Sequence, residues 1–169
     1  MSATNSLHYE LCKLGGKWLK SRKNAEPWRT TWKYVAVELV TLTAENPDVW
    51  ATNGNDTIVL EVKTSHADFL ADKKKWHRSK EAEQGGFQLG NYRYYLCPIG
   101  VIKEDELPEN WGLLVWDGKK IHKVKQSTRV KTDSSGEMMV ITSIMSRILR
   151  PQIFNFRENN VEIKLGKRV

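Results

Sequence analysis

Two short apolar runs, Val49-Trp50-Ala51-Thr52 and Thr57-Ile58-Val59-Leu60-Glu61-Val62, flank the tetrapeptide Asn53-Gly54-Asn55-Asp56. Asn, Gly and Asp are turn formers, so this stretch predicts a β-hairpin of Asp48 to Thr52 with Thr57 to Lys63. A hairpin constrains which side chains can meet. In a strand, residues two apart share a face, so Glu61 and Lys63 project together while Leu60 and Val62 point the other way. Twelve residues separate Asp48 from Glu61, and the hairpin returns Asp48 to the side of Glu61. Two carboxylates and a lysine would then converge, as a site for one or two hard divalent cations and a positioned water requires. The structural alternative is a half-exposed strand carrying a Glu–Lys pair beside a Pro-Asp turn.

The remaining elements read in order. Ser6 can cap a helix whose apolar stripe is Leu7, Leu11, Leu14 and Trp18. Ser21 to Pro27 is a polar connector, with Lys23 to Glu26 as its exposed part. Tyr34 to Thr43 is rich in Val and Leu and predicts a strand, with Glu38 inside it. Ser65-His66-Ala67-Asp68 is a capping-box pattern opening a helix to about Glu83, ended by Gly85-Gly86. Tyr92 to Ile99 predicts a strand. Trp111 to Trp116 with Ile121 to Val124, around Asp117-Gly118, predicts a second hairpin. Lys125 to Gly136 is polar and reads as a mobile loop. Met138 to Leu149 has helical spacing and stops before Pro151, leaving a charged tail from Arg157 to Val169.

Pro47-Asp48, then Glu61-Val62-Lys63, resembles the PD-(D/E)xK nuclease superfamily. The continuation Thr64-Ser65-His66-Ala67-Asp68-Phe69, with Asp72-Lys73 and the aromatic strand Tyr92-Arg93-Tyr94-Tyr95-Leu96-Cys97-Pro98, is similar to the MmcB-like DNA-repair branch. The resemblance covers residues 5 to 125. It implies an α/β, restriction-endonuclease-like fold: a central mixed sheet of about four to six strands flanked by helices. The order would be α-β-β-β-α-β, then a C-terminal hairpin and helix, all in one domain over residues 1–169, with helix and tail over 137–169. It implies a nuclease hydrolysing DNA phosphodiester bonds in repair, recombination or phage and mobile-element processing. The alternative on the same fold is a nucleic-acid-binding module that does not cut. A third possibility is a chance motif in an interaction protein.

On this reading Asp48 and Glu61 would bind Mg²⁺ or Mn²⁺, helped by the Val62 backbone carbonyl. Lys63 would orient or help deprotonate the attacking water and stabilise charge developing on phosphoryl oxygens. Glu38 is a candidate further ligand or a charge balancing Lys63, against an edge-strand charge facing solvent. Glu10 stands where many superfamily members carry a helical acidic residue, against a surface Glu beside Lys13. Ser65 and Asp68 belong to the branch motif, although capping the helix explains both. Lys73, Lys74 and Lys75 read as a solvated face or as phosphate contacts. Trp76 reads as core or rim, and His66 and His77 as ordinary polar-helix histidines. Gln88 to Tyr92 contains a Gln-x-x-x-Tyr pattern that some exonuclease members place on a helix. Gly85, Gly86 and Gly90 argue against a helix there.

The charge suits this partner. Lys and Arg number 27 against 20 Asp and Glu, a net charge of +7 that favours a polyanion such as DNA. Cys12 and Cys97 lack metal-ligand spacing and read as reduced buried thiols. No run of eighteen apolar residues predicts a membrane span, and Met1 to Ser6 does not read as a signal peptide, so the expected location is cytoplasmic. A chain this small has no obvious appended recognition domain. Specificity would come from nucleic-acid structure, a homodimer or a protein partner.

Overall fold

A computed structural model describes residues 3–21, 31–43, 45–75 and 78–148. The connector over 22–30, Trp76, His77 and the tail over 149–169 lie outside the described residues. The elements are α1 (Ala3–Lys20), β1 (Tyr34–Val37), β2 (Val49–Thr52), β3 (Thr57–Val62), α2 (His66–Lys73), α3 (Lys80–Gly85), β4 (Tyr92–Pro98), β5 (Gly112–Trp116), β6 (Ile121–Lys125) and α4 (Ser134–Ile148). The chain is an α/β protein. Its six strands form one mixed sheet in sequence order, β1 to β6. The pairs β1–β2, β2–β3 and β5–β6 are antiparallel, whereas β3–β4 and β4–β5 are parallel. Parallel neighbours need a crossover, which α2 and α3 supply between β3 and β4. Among the described residues no helix is long and apolar enough to cross a membrane.

Both faces of the central strands are covered, so all of β3 is buried. On one face Leu11, Cys12, Trp18 and Leu19 of α1 pack on Val49, Ala51, Ile58, Leu60, Val62, Tyr94 and Leu96. Gly15 permits this approach, because a β-carbon there would stand 2.9 Å from Leu60 Cδ1 and 3.0 Å from Leu96 Cδ2. On the opposite face Trp50, Val59 and Leu89 meet Val140 of α4. Farther along that face Phe69, Tyr95, Cys97, Trp111 and Leu113 form another cluster.

Several expectations from sequence change, the first being Ser6 as a helix cap, since α1 already begins at Ala3. The strand expected through Thr43 ends at Val37, because Glu38 takes a left-handed backbone (φ 50°) and donates its N–H to the Asp48 carbonyl at 2.8 Å. The single helix expected from Ser65 to Glu83 is two, α2 and α3. Arg78, which falls between them, is buried in the interior, as described below. The segment over 126–133 is irregular but pinned. Thr128, Val130 and Asp133 donate their N–H groups to the carbonyls of Asn110, Asn91 and Gln88 at 2.8–3.0 Å.

The start of α4 is fixed by a buried carboxylate that sequence reading did not single out. Glu137 accepts from Trp50 Nε1 at 2.6 Å, and from Thr57 Oγ1, Gly90 N and Thr132 Oγ1 at 2.7 Å each. Glu137→Ala strands these buried donors at once. The expected loss is about 3 kcal/mol of unfolding free energy, read by chemical denaturation. A loss below about 1 kcal/mol would show that water replaces the carboxylate at this joint.

Candidate active site

The hairpin forms as its turn residues dictate. Asn53 Oδ1 accepts the N–H groups of Asn55 and Asp56 at 2.9 Å, and Gly54 takes a positive φ of 103°. The register pairs Val49 with Leu60, so Asp48, one residue earlier, stands across from Glu61. The Asp48 carboxylate finishes the ladder: its Oδ2 accepts the Val62 N–H at 2.7 Å. Its Oδ1 lies 3.3 Å from His8 Nε2 of α1.

Glu61 and Lys63 project to the face opposite α1, as strand alternation requires. They are only 4% and 5% exposed. Lys63 Nζ lies 3.5 Å from Glu61 Oε2 and 3.4 Å from Asp72 Oδ1 of α2. Arg78 Nη2 lies 3.0 Å from Glu61 Oε1, and Arg78 Nε donates to Asp72 Oδ2 at 2.9 Å. The Tyr95 hydroxyl donates to the same Asp72 oxygen at 2.9 Å. Behind them, Glu45 receives Arg78 and Arg93 together and also accepts the Leu89 N–H at 2.9 Å. Both guanidinium carbons lie close to the Trp111 ring centroid, Arg78 at 4.8 Å and Arg93 at 4.6 Å.

This setting shifts the ionisable groups. Burial pushes the Glu61 carboxyl up to about 7, with Asp48 and Asp72 adding to it and Arg78 and Lys63 opposing it. Burial alone would lower the Lys63 ammonium, but Glu61, Asp72 and Asp48 outweigh it and hold it above its ordinary value. For Asp72 burial is overcome by Arg78, which keeps its carboxyl well below the usual carboxylate range. Glu45 is likewise pulled down to about 2 by Arg93 and Arg78 against the effect of burial.

The register therefore sets Asp48 across from Glu61, and Lys63 shares the face of Glu61, while the Asp48 carboxylate itself is turned to the Val62 amide and to His8 of α1. Glu38 lies beyond the end of β1 rather than within a strand, and its Oε1 is 3.6 Å from His8 Nδ1. Glu10 faces solvent and pairs with Lys13 at 3.3 Å; on α1 it is His8 that reaches Asp48. Ser65 is the cap of α2, its Oγ accepting the Asp68 N–H at 3.2 Å, and Asp68 is exposed. Lys73 donates to the Glu106 carbonyl at 2.7 Å and Lys75 pairs with Asp72 at 2.7 Å. His66 pairs with Glu106 at 2.7 Å. Gln88 lies on irregular chain, so no helix carries it toward Tyr92.

Sequence reading did not single out His8, Glu45, Arg78 or Arg93, and took Asp72 only as part of a motif. One signal was present for Arg93: a charge flanked by aromatic residues within a run that reads as a buried strand needs a buried partner.

No protein-family model and no curated protein matches the chain. Among solved structures it is similar to a protein of unknown function from Silicibacter pomeroyi, with 21% identity and a TM-score of 0.50 over 68% of this chain and 73% of that one. That likeness concerns the fold.

Proposed function

We propose that the protein is a metal-dependent nuclease of the PD-(D/E)xK type that hydrolyses DNA phosphodiester bonds. The observation that carries this reading is the placement of Asp48 across from Glu61, with Lys63 beside Glu61 on the same face. The donor set fits a hard divalent cation such as Mg²⁺ or Mn²⁺, because Asp48 and Glu61 offer carboxylate oxygens. The Asp48 charge also adds to the rise of the Glu61 carboxyl, a repulsion that a cation held between them would relieve. When bound, the ion supplies Lewis acidity toward the phosphoryl oxygens and lowers the pKa of a bound water.

The chain's own groups do the rest. Asp48 is aimed by its bond from the Val62 amide. Glu61 is held by Arg78, and Arg78 is in turn fixed by Asp72 and Glu45. Lys63, kept cationic by its acidic neighbours, holds the attacking water and offsets charge developing on the phosphoryl oxygens. The net charge of +7 favours the polyanionic substrate.

A second reading, DNA binding without cleavage, is favoured by one observation. Each Glu61 oxygen already faces a cation, Arg78 or Lys63, and the pair is nearly closed to solvent. The test is incubation with labelled single-stranded, duplex, nicked, flapped and four-way DNA in Mg²⁺, Mn²⁺ or EDTA. Cleavage that requires metal is the expected result. Metal-dependent binding to one structure without cleavage would establish the second reading, and neither binding nor cleavage would dispose of both.

A further inference from the structure

His8 and Cys12 are one helical turn apart on α1 and face the end of the β2–β3 hairpin. Cys12 Sγ lies 3.6 Å from His8 Nδ1. One donor atom from each of His8, Cys12 and Asp48 lies within 4.8 Å of the other two. A sulfur at about 2.3 Å and a nitrogen at about 2.0 Å from one tetrahedral zinc stand about 3.5 Å apart. The helix already holds that spacing.

We propose that His8, Cys12 and Asp48 form a three-ligand site for a borderline divalent transition ion of the zinc type, with a fourth position open to solvent. The chemistry differs from that of the Asp48–Glu61 pair. Thiolate and imidazole select zinc or cobalt over magnesium, whereas paired carboxylates select the hard ions. Asp48 belongs to both sets, but the inference stands whether or not the protein cleaves DNA.

Access and support are both present. Cys12 is fully buried, while the His8 and Asp48 side chains are 29% and 20% exposed, so an ion can enter from their side. Binding of the ion through the Cys12 sulfur as thiolate would release the thiol proton to solvent. Glu38 Oε1, 3.6 Å from His8 Nδ1, adds a carboxylate at the rim that can approach the open position.

The experiment is titration of the reduced, metal-free full chain with Co²⁺, followed by visible and near-ultraviolet absorption. The expected result is a thiolate-to-cobalt charge-transfer band that saturates at a single equivalent and is displaced by Zn²⁺. The band should vanish in Cys12→Ser and persist in Cys97→Ser and Lys63→Met. In His8→Ala cobalt affinity should fall by at least about tenfold. Wild type without the band, or a folded Cys12→Ser that keeps it, would overturn the site. Should Cys12→Ser fail to fold by circular dichroism, His8→Ala decides the matter, since undiminished cobalt affinity there also overturns it.

Discussion

Lys63→Met is expected to slow metal-dependent DNA cleavage by about 10²- to 10⁴-fold, the range typical of losing a positioned proton-transfer or charge-stabilising group. Methionine keeps much of the side-chain length and removes only the ammonium. The two carboxylates it leaves behind, Glu61 and Asp72, are each still met by Arg78. The fold should therefore survive, and DNA affinity should change far less than the rate. Single-turnover cleavage under saturating enzyme separates the two effects. A loss confined to affinity would assign Lys63 to binding the phosphate and leave the water to another group.

Glu45→Ala should be among the most damaging substitutions for stability. It strips the acceptor from two buried guanidinium groups, Arg78 and Arg93, and from the Leu89 amide. Breaking a buried ion network by removing one partner costs about 3–5 kcal/mol, which lowers the melting temperature of a chain this size by roughly 10 °C. The same residue sets part of the acid sensitivity. The Glu45 carboxyl is lowered from its ordinary 4.5 to about 2 in the folded protein. Its contribution is therefore complete above pH 4.5 and is lost as the pH falls toward 2, where the unfolded chain binds the extra proton. Glu61, raised to about 7, acts with the opposite sign between 4.5 and 7, so acid loss should set in only below that interval. Denaturation midpoints across pH should show a shallower acid slope in Glu45→Ala than in wild type. Equal slopes would move the sensitivity to other carboxylates, Asp72 first.

The hairpin was legible in sequence because its information is local. Asn53-Gly54 fixes the turn, alternation fixes the faces, and the register then carries Asp48 to Glu61 without further assumption. The mixed α/β order followed from the same kind of local pattern. What sequence did not disclose depends on partners far along the chain. Glu45 and Arg93 meet across 48 residues, and nothing near either residue announces the other. The break between α2 and α3 carries no glycine or proline. It follows from Arg78 being drawn to Glu45, Glu61 and Asp72, a tertiary demand that overrides helical propensity. Glu38 misled in a related way: Val-Ala-Val-Glu-Leu-Val alternates like a strand, yet a chain that turns to meet the Asp48 carbonyl leaves β1 at Val37. On α1, Glu10 satisfied an expected acidic position, while His8 is the residue aligned with Cys12 and Asp48.

The proposed hydrolytic centre is the set Asp48, Glu61 and Lys63. It is tested most directly by a cleavage time course of wild type and Glu61→Gln, purified identically, on the structured DNA panel in Mn²⁺. Metal-dependent products are expected from wild type and none from Glu61→Gln, with both proteins folded. Equal cleavage by the two would contradict it, since the hydrolysis would then arise elsewhere.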